Sequence, residues 1–489
     1  MTIRFFHILC GAAALLICES IAAPVHGPQL KTQWRGNTRQ PSNLDSDVVK
    51  TVPSTCELAV VGAGWGGVYF GWRLGIELLA IDPANICFFE VNGRLGGRIY
   101  SVYGLPNMGD LVIDVGGYRF PENDLLPAQL VWDKLLLPTS LYGICHQDIE
   151  CYKIADVYGN NAGYTIPIEE MLGELMTKGA KVFWGSALTS VKSNENNSSA
   201  TVLEFNDLST QSTVSVTAAK TLLNLPGNAM NSLDPESVIF IDSPPATVSN
   251  LQSINSHISV KVYANYEDAW WYNDLGLLTG EYADKNTPAP LEGKYNDGPT
   301  KCVTGYGADG TAIYSGTPVA YGNCTGALLV LYTHLTKQSY YTDQMTSLAN
   351  PLTVISSDSE NSYVLDDVHE SLMQYHAELF EAAGIDPKTL AKPLNVFIGN
   401  WVEEAPYTPG IGYYDIFHQP QSKGASSVRK PSPDHEVYVA NADYGYNPGW
   451  ATSSLKMAEK ILQAEQSFGY SKPSWLDEGY YQTEIVNQP

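Results

Sequence analysis

Gly62-Ala-Gly64-Trp65-Gly66-Gly67 is the stretch that decides the fold, because it stands between two apolar, strand-like segments. Glu57-Leu-Ala-Val-Val61 precedes it, and Ile86-Cys-Phe-Phe-Glu90 follows a segment that predicts a helix to about Leu79. The glycines at 62, 64 and 67 have the GxGxxG spacing, in which the first permits a tight turn, the second lets the backbone approach a pyrophosphate and the third lets the helix pack on the strand. The order strand, turn, helix, strand therefore predicts an α/β fold that begins with a Rossmann-like dinucleotide-binding unit.

Glu90 ends the second strand of this unit. An acid at this point can accept hydrogen bonds from the ribose hydroxyls of an adenosine. The phosphates would meet the N-terminus of the helix, where unpaired N–H groups and the helix dipole favour negative charge. The alternatives are a glycine turn that is only a tight structural connection and a solvated strand-end carboxylate.

The run Glu90-Val91-Asn-Gly-Arg-Leu-Gly-Gly-Arg98 resembles the flavin amine oxidase superfamily. That superfamily follows its ribose-binding acid with a Gly-Gly-Arg run beside the pyrophosphate. The resemblance implies that the cofactor is FAD rather than NAD, that Glu90 and Val91 bind it, and that Arg98 supplies a cation to the phosphates.

A second segment, Ile113-Asp-Val-Gly116-Gly117-Tyr118-Arg119, is similar to the part of L-amino-acid oxidases that passes under the flavin. In those enzymes it presents an arginine to the substrate carboxylate, and a planar guanidinium can hold a carboxylate through two parallel hydrogen bonds. The resemblance implies cofactor contacts along the segment and a substrate-binding role for Arg119. A surface arginine or a phosphate-contacting arginine is the alternative.

A third segment, Ser259-Val-Lys261-Val-Tyr263, resembles the lysine strand of the superfamily, in which a buried lysine holds a water against the flavin. The resemblance implies that Lys261 takes part in catalysis. The alternative is a lysine on an exposed edge strand.

The C-terminal part resembles the closing signature of the superfamily in Val437-Tyr-Val-Ala-Asn-Ala-Asp443 and in Gly449-Trp450-Ala451. The resemblance implies that Asp443 binds the ribityl chain and that the Gly-Trp turn starts a last helix facing the flavin, with Trp450 at the reaction site. Asn-Ala-Asp stands where the family has Gly and then an acid, so the sequence departs from the pattern here. Segment 395–414, with Trp401, Pro406, Gly412 and Tyr413, resembles the pattern before this signature.

These resemblances run from about Cys56 to Ala464, and the most similar members are secreted L-amino-acid oxidases of the achacin and aplysianin type. They imply a discontinuous FAD-binding domain, built from 56–120, 180–245 and 430–465, and a substrate domain from 121–179 and 246–429. Alternating apolar runs in 259–345 predict a mixed β-sheet for the substrate domain. Its helical part is shortened, since 121–180 is smaller than the helical insertion of the family.

The N-terminus predicts export. Arg4 precedes an apolar run over 5–18 and small residues over 20–23, which is typical of a signal peptide cleaved near Ala22 and too short to span a bilayer. A flexible, polar lead segment over 23–55 and a C-terminal tail over 466–489 complete the predicted organisation. Sequons at three asparagines fit a secreted glycoprotein: Asn196, Asn197 and Asn323.

Removal of Cys10 and Cys18 with the signal leaves six cysteines, an even number that predicts disulfides in an oxidising compartment. Cys145 with Cys151 and Cys302 with Cys324 are the pairs closest in sequence, but spacing does not fix the connectivity, and small buried thiols are the alternative. Neither a CxxC motif nor a pair of histidines at ligand spacing occurs, so the sequence predicts no metal site.

The formal net charge of −24 excludes electrostatic binding to nucleic acid. The resemblance implies a secreted, FAD-dependent oxidase that converts an L-amino acid and dioxygen into a 2-oxo acid, ammonia and hydrogen peroxide. The partners would be small molecules, with no membrane span and with the oligomeric state left open. An oxidase of another amine, such as a polyamine, and a flavin-binding secreted protein without catalysis are the two alternatives.

Overall fold

The computed structural model describes residues 52–146, 148–334, 339–346, 350–402, 410–416, 426–446, 448–465 and 467–487. The predicted signal peptide, most of the lead segment and Pro406 lie outside the described residues.

A seven-stranded sheet, here called the first sheet, carries the predicted βαβ unit. Its strands run in the spatial order Lys181–Trp184, Ile86–Glu90, Thr55–Val61, Ser212–Leu223, Asn197–Asp207 and Ser186–Asn194, with Val437–Val439 beside the end of Ser212–Leu223. Five of these strands are parallel to their neighbours, and the hairpin 186–207 extends the sheet in antiparallel pairing. All five residues of Ile86–Glu90 are buried, as a strand covered on both faces requires.

An eight-stranded sheet, here called the second sheet, is built mainly from segment 259–356, where the sequence predicts a sheet over 259–345. All its described pairings are antiparallel, whereas the prediction is a mixed sheet. Its strands are Glu281–Asp284, Leu291–Lys294, Cys324–His334, Ser259–Tyr266, Asn395–Trp401 and Leu352–Ser356, with Thr300–Tyr306 and Ala312–Ser315 attached to Cys324–His334. Ser259–Tyr266 is central and buried along its whole length. The edge-strand interpretation of Lys261 is therefore wrong.

The remaining described strands form small pairs or a three-stranded sheet: Ile254–His257 with Tyr413–Ile416, Ser101–Val102 with Ile113–Asp114, and Phe120–Pro121 with Ile149–Ile154 and Thr139–His146. The described α-helices are Trp65–Trp72, Leu125–Gln129, Ile166–Thr177, Gly227–Asn231, Val238–Ile241, Pro245–Gln252, Trp270–Asn273, Ser339–Thr342, Tyr363–Tyr375, Ala377–Ala383, Ala451–Gln463 and Glu478–Tyr481.

Two of these helices differ from their predicted extent. The helix after the glycines ends at Trp72 and continues as a π-helical turn over Arg73–Glu77. The sequence over 364–383 predicts a single helix, but the structure breaks it at His376 into Tyr363–Tyr375 and Ala377–Ala383. The His376 ring is held at the junction, because it bonds to the nearby Leu372 carbonyl and to the Tyr295 hydroxyl, which comes from a distant part of the chain.

The buried apolar residues form three cores. One surrounds the first sheet, one surrounds the second sheet, and a small third core contains Val115 and Phe397. Buried side chains of 126–175, among them Leu130 and Leu172, belong to the first core. The packing thus groups much of 121–179 with the dinucleotide-binding part, whereas the sequence predicts it in the substrate domain. The predicted domain boundaries stay a prediction.

The C-terminal residues after 466 are docked on the first core rather than extended from it. Leu476, Tyr481 and Ile485 are buried there, and Arg73 donates to the Ser471 carbonyl at 3.2 Å. Lys456 forms a 2.6 Å ion pair with Glu484, which ties this segment to the last long helix.

The six cysteines of the described residues form three disulfides: Cys145–Cys151, Cys302–Cys324 and Cys56–Cys87. The two pairs that are closest in sequence are therefore joined, and the third disulfide links the first two strands of the βαβ unit. Within the described ranges, none of the helices is both long and apolar enough to cross a membrane.

Candidate functional site

A cavity of about 680 Å³ opens at the carboxyl ends of the parallel strands and reaches the second sheet. Ligands of open α/β sheets bind at this edge. Most of the site residues predicted from the sequence line it: Gly62, Gly64, Trp65, Glu90, Val91, Arg98, Gly116, Gly117, Tyr118, Arg119, Lys261, Gly449, Trp450 and Ala451. Gly66, Gly67 and Asp443 lie behind the cavity lining.

The glycine turn places the helix N-terminus at the cavity. Gly62 has φ +97°, and a Cβ on Gly64 would lie 2.7 Å from the side-chain oxygen of Asn224. A Cβ on Gly66 would lie 2.9 Å from Cβ of Ser454, and one on Gly67 would overlap the Gly62 carbonyl. Gly66 and Gly67 therefore serve close packing, while the first N–H groups of the helix remain available to an anion.

Glu90 is buried at the strand end, so the solvated-carboxylate alternative is wrong. Its Oε2 accepts from the Ala63 N–H at 2.9 Å and its Oε1 from the Asn92 N–H at 2.9 Å. Oε1 also accepts from Nδ2 of Asn92 at 3.2 Å. Each carboxylate oxygen has two lone pairs, so Oε2 retains capacity for a ribose hydroxyl.

Arg98 and Asp443 form an ion pair beside the cavity. The Nη1 atom of Arg98 lies 2.6 Å from Oδ1 of Asp443, and Nη2 donates to Asn441 Oδ1 at 3.1 Å. Asp443 is 1% exposed, and its Oδ2 accepts from the Gly227 N–H. Asn441 lines the cavity instead. The Asp443 carboxylate thus orients Arg98, and its contact with a ribityl chain stays a prediction.

Lys261 points into the cavity wall from the centre of the second sheet. Its Nζ donates to the carbonyls of Gly116 at 2.5 Å and Asp114 at 3.3 Å, and it lies 3.7 Å from the centre of the Tyr118 ring. Burial lowers the pKa of Lys261 to about 7, against the opposing pull of Asp297 and Asp114. The amine can therefore hold or release a proton near neutral pH.

Arg119 is flanked by two aromatic rings, with its Cζ 4.7 Å from the centre of Tyr118 and 4.4 Å from that of Tyr142. Its Nη1 is buried and has no hydrogen-bond partner among the described residues. Burial lowers the pKa of Arg119, but Tyr118, Tyr142 and Asp297 raise it by more, so the guanidinium stays charged. Arg119 is thus a cation held in place at the cavity, and its Nη1 group can donate a hydrogen bond to a ligand.

The closing turn lines the cavity as predicted from the sequence. Gly449 has φ +91°, and a Cβ there would lie 3.4 Å from the Tyr413 ring. Trp450 caps the helix Ala451–Gln463 in an extended conformation. Tyr413 and Trp401, which the sequence marks only as part of a pattern, also line the cavity, and Trp401 donates to the Val115 carbonyl at 3.0 Å.

Several functional candidates escape the sequence analysis. Asn224 follows the strand Ser212–Leu223 and lines the cavity, and the rule that ligands bind at strand carboxyl ends would have found it. Tyr142, Lys153 and Asp297 meet behind Tyr118 and Arg119, but they come from a hairpin and a loop without a motif.

Comparison with known proteins gives one short match in sequence and a similar fold. No family model matches the chain. Aplysianin-A of Aplysia kurodai is 35% identical over 66 residues, which are 14% of this chain and 11% of that protein. The match thus spans about a tenth of that relative's length.

Solved structures give the fold. Two engineered variants of putrescine oxidase with redesigned cofactor binding superpose on 83% of this chain and 97% of their own, with TM-scores of 0.51 and 0.50 and identities of 13% and 12%. The predicted α/β architecture with a second sheet is confirmed. In fold the chain is similar to putrescine oxidase, and over a short stretch its sequence is similar to Aplysianin-A.

Proposed function

We propose that the chain is a secreted, FAD-dependent oxidoreductase acting on amines, and that its substrate is an L-amino acid. The observation that carries the proposal is that a buried lysine and an aromatic-flanked arginine share one cavity with the glycine turn. The fold of putrescine oxidase and the short match to Aplysianin-A support the amine oxidase class.

The cavity fits FAD by the chemistry of its residues. The helix N-terminus behind Gly64 would bind the pyrophosphate, Arg98 would add a cation, and Glu90 would accept from the adenosine ribose. The turn at Gly449 and Trp450 would bind the opposite part of the cofactor. FAD bound there supplies the hydride acceptor and returns the electrons to dioxygen.

The chain's own residues bind and orient the amino acid. Arg119 would pair with the substrate carboxylate through its unpartnered Nη1, and the rings of Tyr118 and Tyr142 keep the guanidinium in place. Lys261, with its pKa near 7, would hold a water molecule or exchange a proton with it. The overall reaction takes an amino acid, dioxygen and water to a 2-oxo acid, ammonia and hydrogen peroxide.

A general amine or polyamine oxidase is the second candidate, favoured by the net charge of −24 and by the putrescine oxidase fold. A cation at the substrate site argues against it, because an amine substrate without a carboxylate has no use for Arg119. A flavin-binding secreted protein without catalysis is the third candidate, favoured by the short 121–180 region and by the Asn-Ala-Asp departure before the last helix.

The visible spectrum of the purified protein separates the three candidates. We expect flavin absorption bands near 450 nm that bleach when an L-amino acid is added without oxygen. Bleaching by amines alone would select the amine oxidase, whereas flavin that neither amines nor amino acids reduce would select the non-catalytic protein. The absence of any flavin would refute the proposal. Export is tested by N-terminal sequencing of protein secreted by an expression host, with cleavage expected near Ala22.

A further inference from the structure

Behind the cavity wall lies a buried carboxylate that the proposed function does not use. Asp297 is 3% exposed and stands in the loop between the strands Leu291–Lys294 and Thr300–Tyr306. Its Oδ2 accepts from the Tyr118 hydroxyl at 2.9 Å, and its Oδ1 lies 3.4 Å from Nζ of Lys153. A buried charge destabilises the folded protein unless it is paired, so these two contacts explain why the Asp297 carboxylate can be buried there.

The Tyr118 ring connects Asp297 with both candidate catalytic side chains, Lys261 and Arg119. The Tyr118 ring that bonds to Asp297 stacks on Arg119 and lies against the Lys261 ammonium. The Tyr142 hydroxyl lies 3.5 Å from that of Tyr118, so the second ring on Arg119 joins the same network. One carboxylate therefore fixes the surface that Lys261 and Arg119 share.

The charge of Asp297 also acts on these residues directly. Burial alone would raise the pKa of Asp297, but Lys153, Arg119 and Lys261 lower it overall, so the carboxylate remains ionised. Three cations surround it, and an opposite charge favours the protonated form of a neighbouring lysine.

The charged groups that face Lys261 come from several elements. The charged side chains are Asp297, Asp114, Arg119 and Lys153, and the titratable rings are Tyr118 and Tyr332. The Asp114 carboxylate is occupied elsewhere, because it accepts from Ser101 at 2.5 Å and from the Tyr164 N–H at 3.0 Å. Of these two carboxylates, Asp297 raises the pKa of Lys261 more than Asp114 does, so its removal should change the charge on Lys261 more.

We propose that Asp297 is a positioning residue of this site, whose buried carboxylate holds Tyr118 against Lys261 and Arg119. Asp297 acts through its neighbours and does not line the cavity. The proposal rests on the proposed function, because that function gives Lys261 its role in catalysis. The ionisation of Lys261 can nevertheless be measured without turnover.

The test is the pH titration of the Lys261 side chain by NMR in flavin-loaded protein labelled with ¹³Cε-lysine. The resonance that disappears in Lys261→Met identifies it. We expect a midpoint near pH 7 in the unaltered protein. In Asp297→Asn the midpoint should fall by about one pH unit or more, and Asp297→Glu should restore part of it.

A second variant, Lys153→Met, should shift the Lys261 midpoint in the opposite direction, and it provides a test if Asp297→Asn does not fold. Lys153 is a cation that lowers the pKa of Lys261, so Lys153→Met should raise the midpoint. Asp110→Asn is the matched control, because it removes one carboxylate from an exposed pair with Lys301.

Two results would overturn the proposal and leave Asp297 as a structural residue. One is a Lys261 midpoint in Asp297→Asn that differs from the unaltered protein no more than that of the Asp110→Asn control does. The other is a lower midpoint in Lys153→Met. If neither amino acids nor amines reduce the flavin but the two midpoints move in opposite directions, the proposed function fails while the role of Asp297 stands.

Discussion

The guanidinium of Arg98 and the carboxylate of Asp443 lie 2.6 Å apart at the edge of the cavity, although 345 residues separate them in the chain. The pair joins the segment after the first βαβ unit to the turn before the last long helix. Both segments are expected to contact the cofactor, so this bond connects the two ends of its site.

Loss of the Asp443 charge should weaken cofactor binding. In Asp443→Asn the ion pair that orients Arg98 is lost and the Gly227 N–H loses a charged acceptor, so the guanidinium is held less firmly toward the cavity. We expect a lower flavin-to-protein absorbance ratio after purification, with partial recovery when FAD is added in excess. Full occupancy in a folded variant would show that Arg98 needs no partner, and Asp110→Asn controls for the change in net charge.

Arg119→Ala should impair the capture of amino acids selectively. A charge-assisted pair contributes roughly 2–5 kcal/mol when its removal leaves the other charge buried, so kcat/KM should fall about thirtyfold or more. Arg119→Lys should restore only part, because an ammonium cannot reproduce the two parallel bonds of the guanidinium. The loss should nearly vanish for the matching amine without a carboxylate. Equal losses on both substrates would place Arg119 at the cofactor or in the fold.

Lys261→Met should leave flavin bound but slow one of the two half-reactions. The methionine keeps the length of the side chain and removes the amine that bonds to Asp114 and Gly116, so a water at this point loses its partner. Stopped-flow measurement of flavin reduction by substrate and of reoxidation by dioxygen separates the two steps. Unchanged rates in both would make Lys261 a structural lysine.

His376 should make the fold less stable in acid. Burial lowers the pKa of His376 to about 4, although the hydrogen bond to the Leu372 carbonyl acts in the opposite direction. The ring also bonds to the Tyr295 hydroxyl. A base whose pKa is depressed by folding contributes stability that is present above its unfolded pKa and is lost as the pH falls. Between pH 7 and pH 5 the free energy of unfolding should drop by about 2 kcal/mol for this group.

The measurement is urea unfolding at the two pH values with the disulfides intact. His376→Gln should reduce the difference between them, although it lowers stability at pH 7 by disturbing the helix junction. His369, whose pKa is also lowered by burial, adds a slope in the same direction, so only the comparison with the variant isolates His376. An unchanged pH dependence in the variant would contradict the assignment.

The local motifs could be predicted from the sequence because their geometry is local. The glycine turn, its flanking strands and the turn at Gly449 each follow from residues within a few positions, and the structure places them at one cavity. Lys261 could be placed on a strand, but its central position depends on pairing with residues far along the chain.

The rest depends on long-range contacts. Asp297 stands in a short loop with no recognisable motif, and only the meeting of three segments behind Tyr118 gives it a role. The break at His376 likewise depends on Tyr295, which is 81 residues away, since the helical pattern continues through the break. The spacing between Asp443 and Gly449 in the sequence does not predict that Asp443 lies behind the cavity lining.

The strand Val437–Val439 is inserted into the first sheet beside Ser212–Leu223, and the helix Ala451–Gln463 completes the wall of the cavity. During synthesis, a nascent chain that has emerged only as far as the second sheet therefore lacks one side of the cofactor site. FAD can be captured only after the ribosome has released the C-terminal segment. A host that makes the protein faster than it supplies flavin should accumulate complete, disulfide-bonded chains that load the cofactor late, and these can be rescued by flavin added after synthesis.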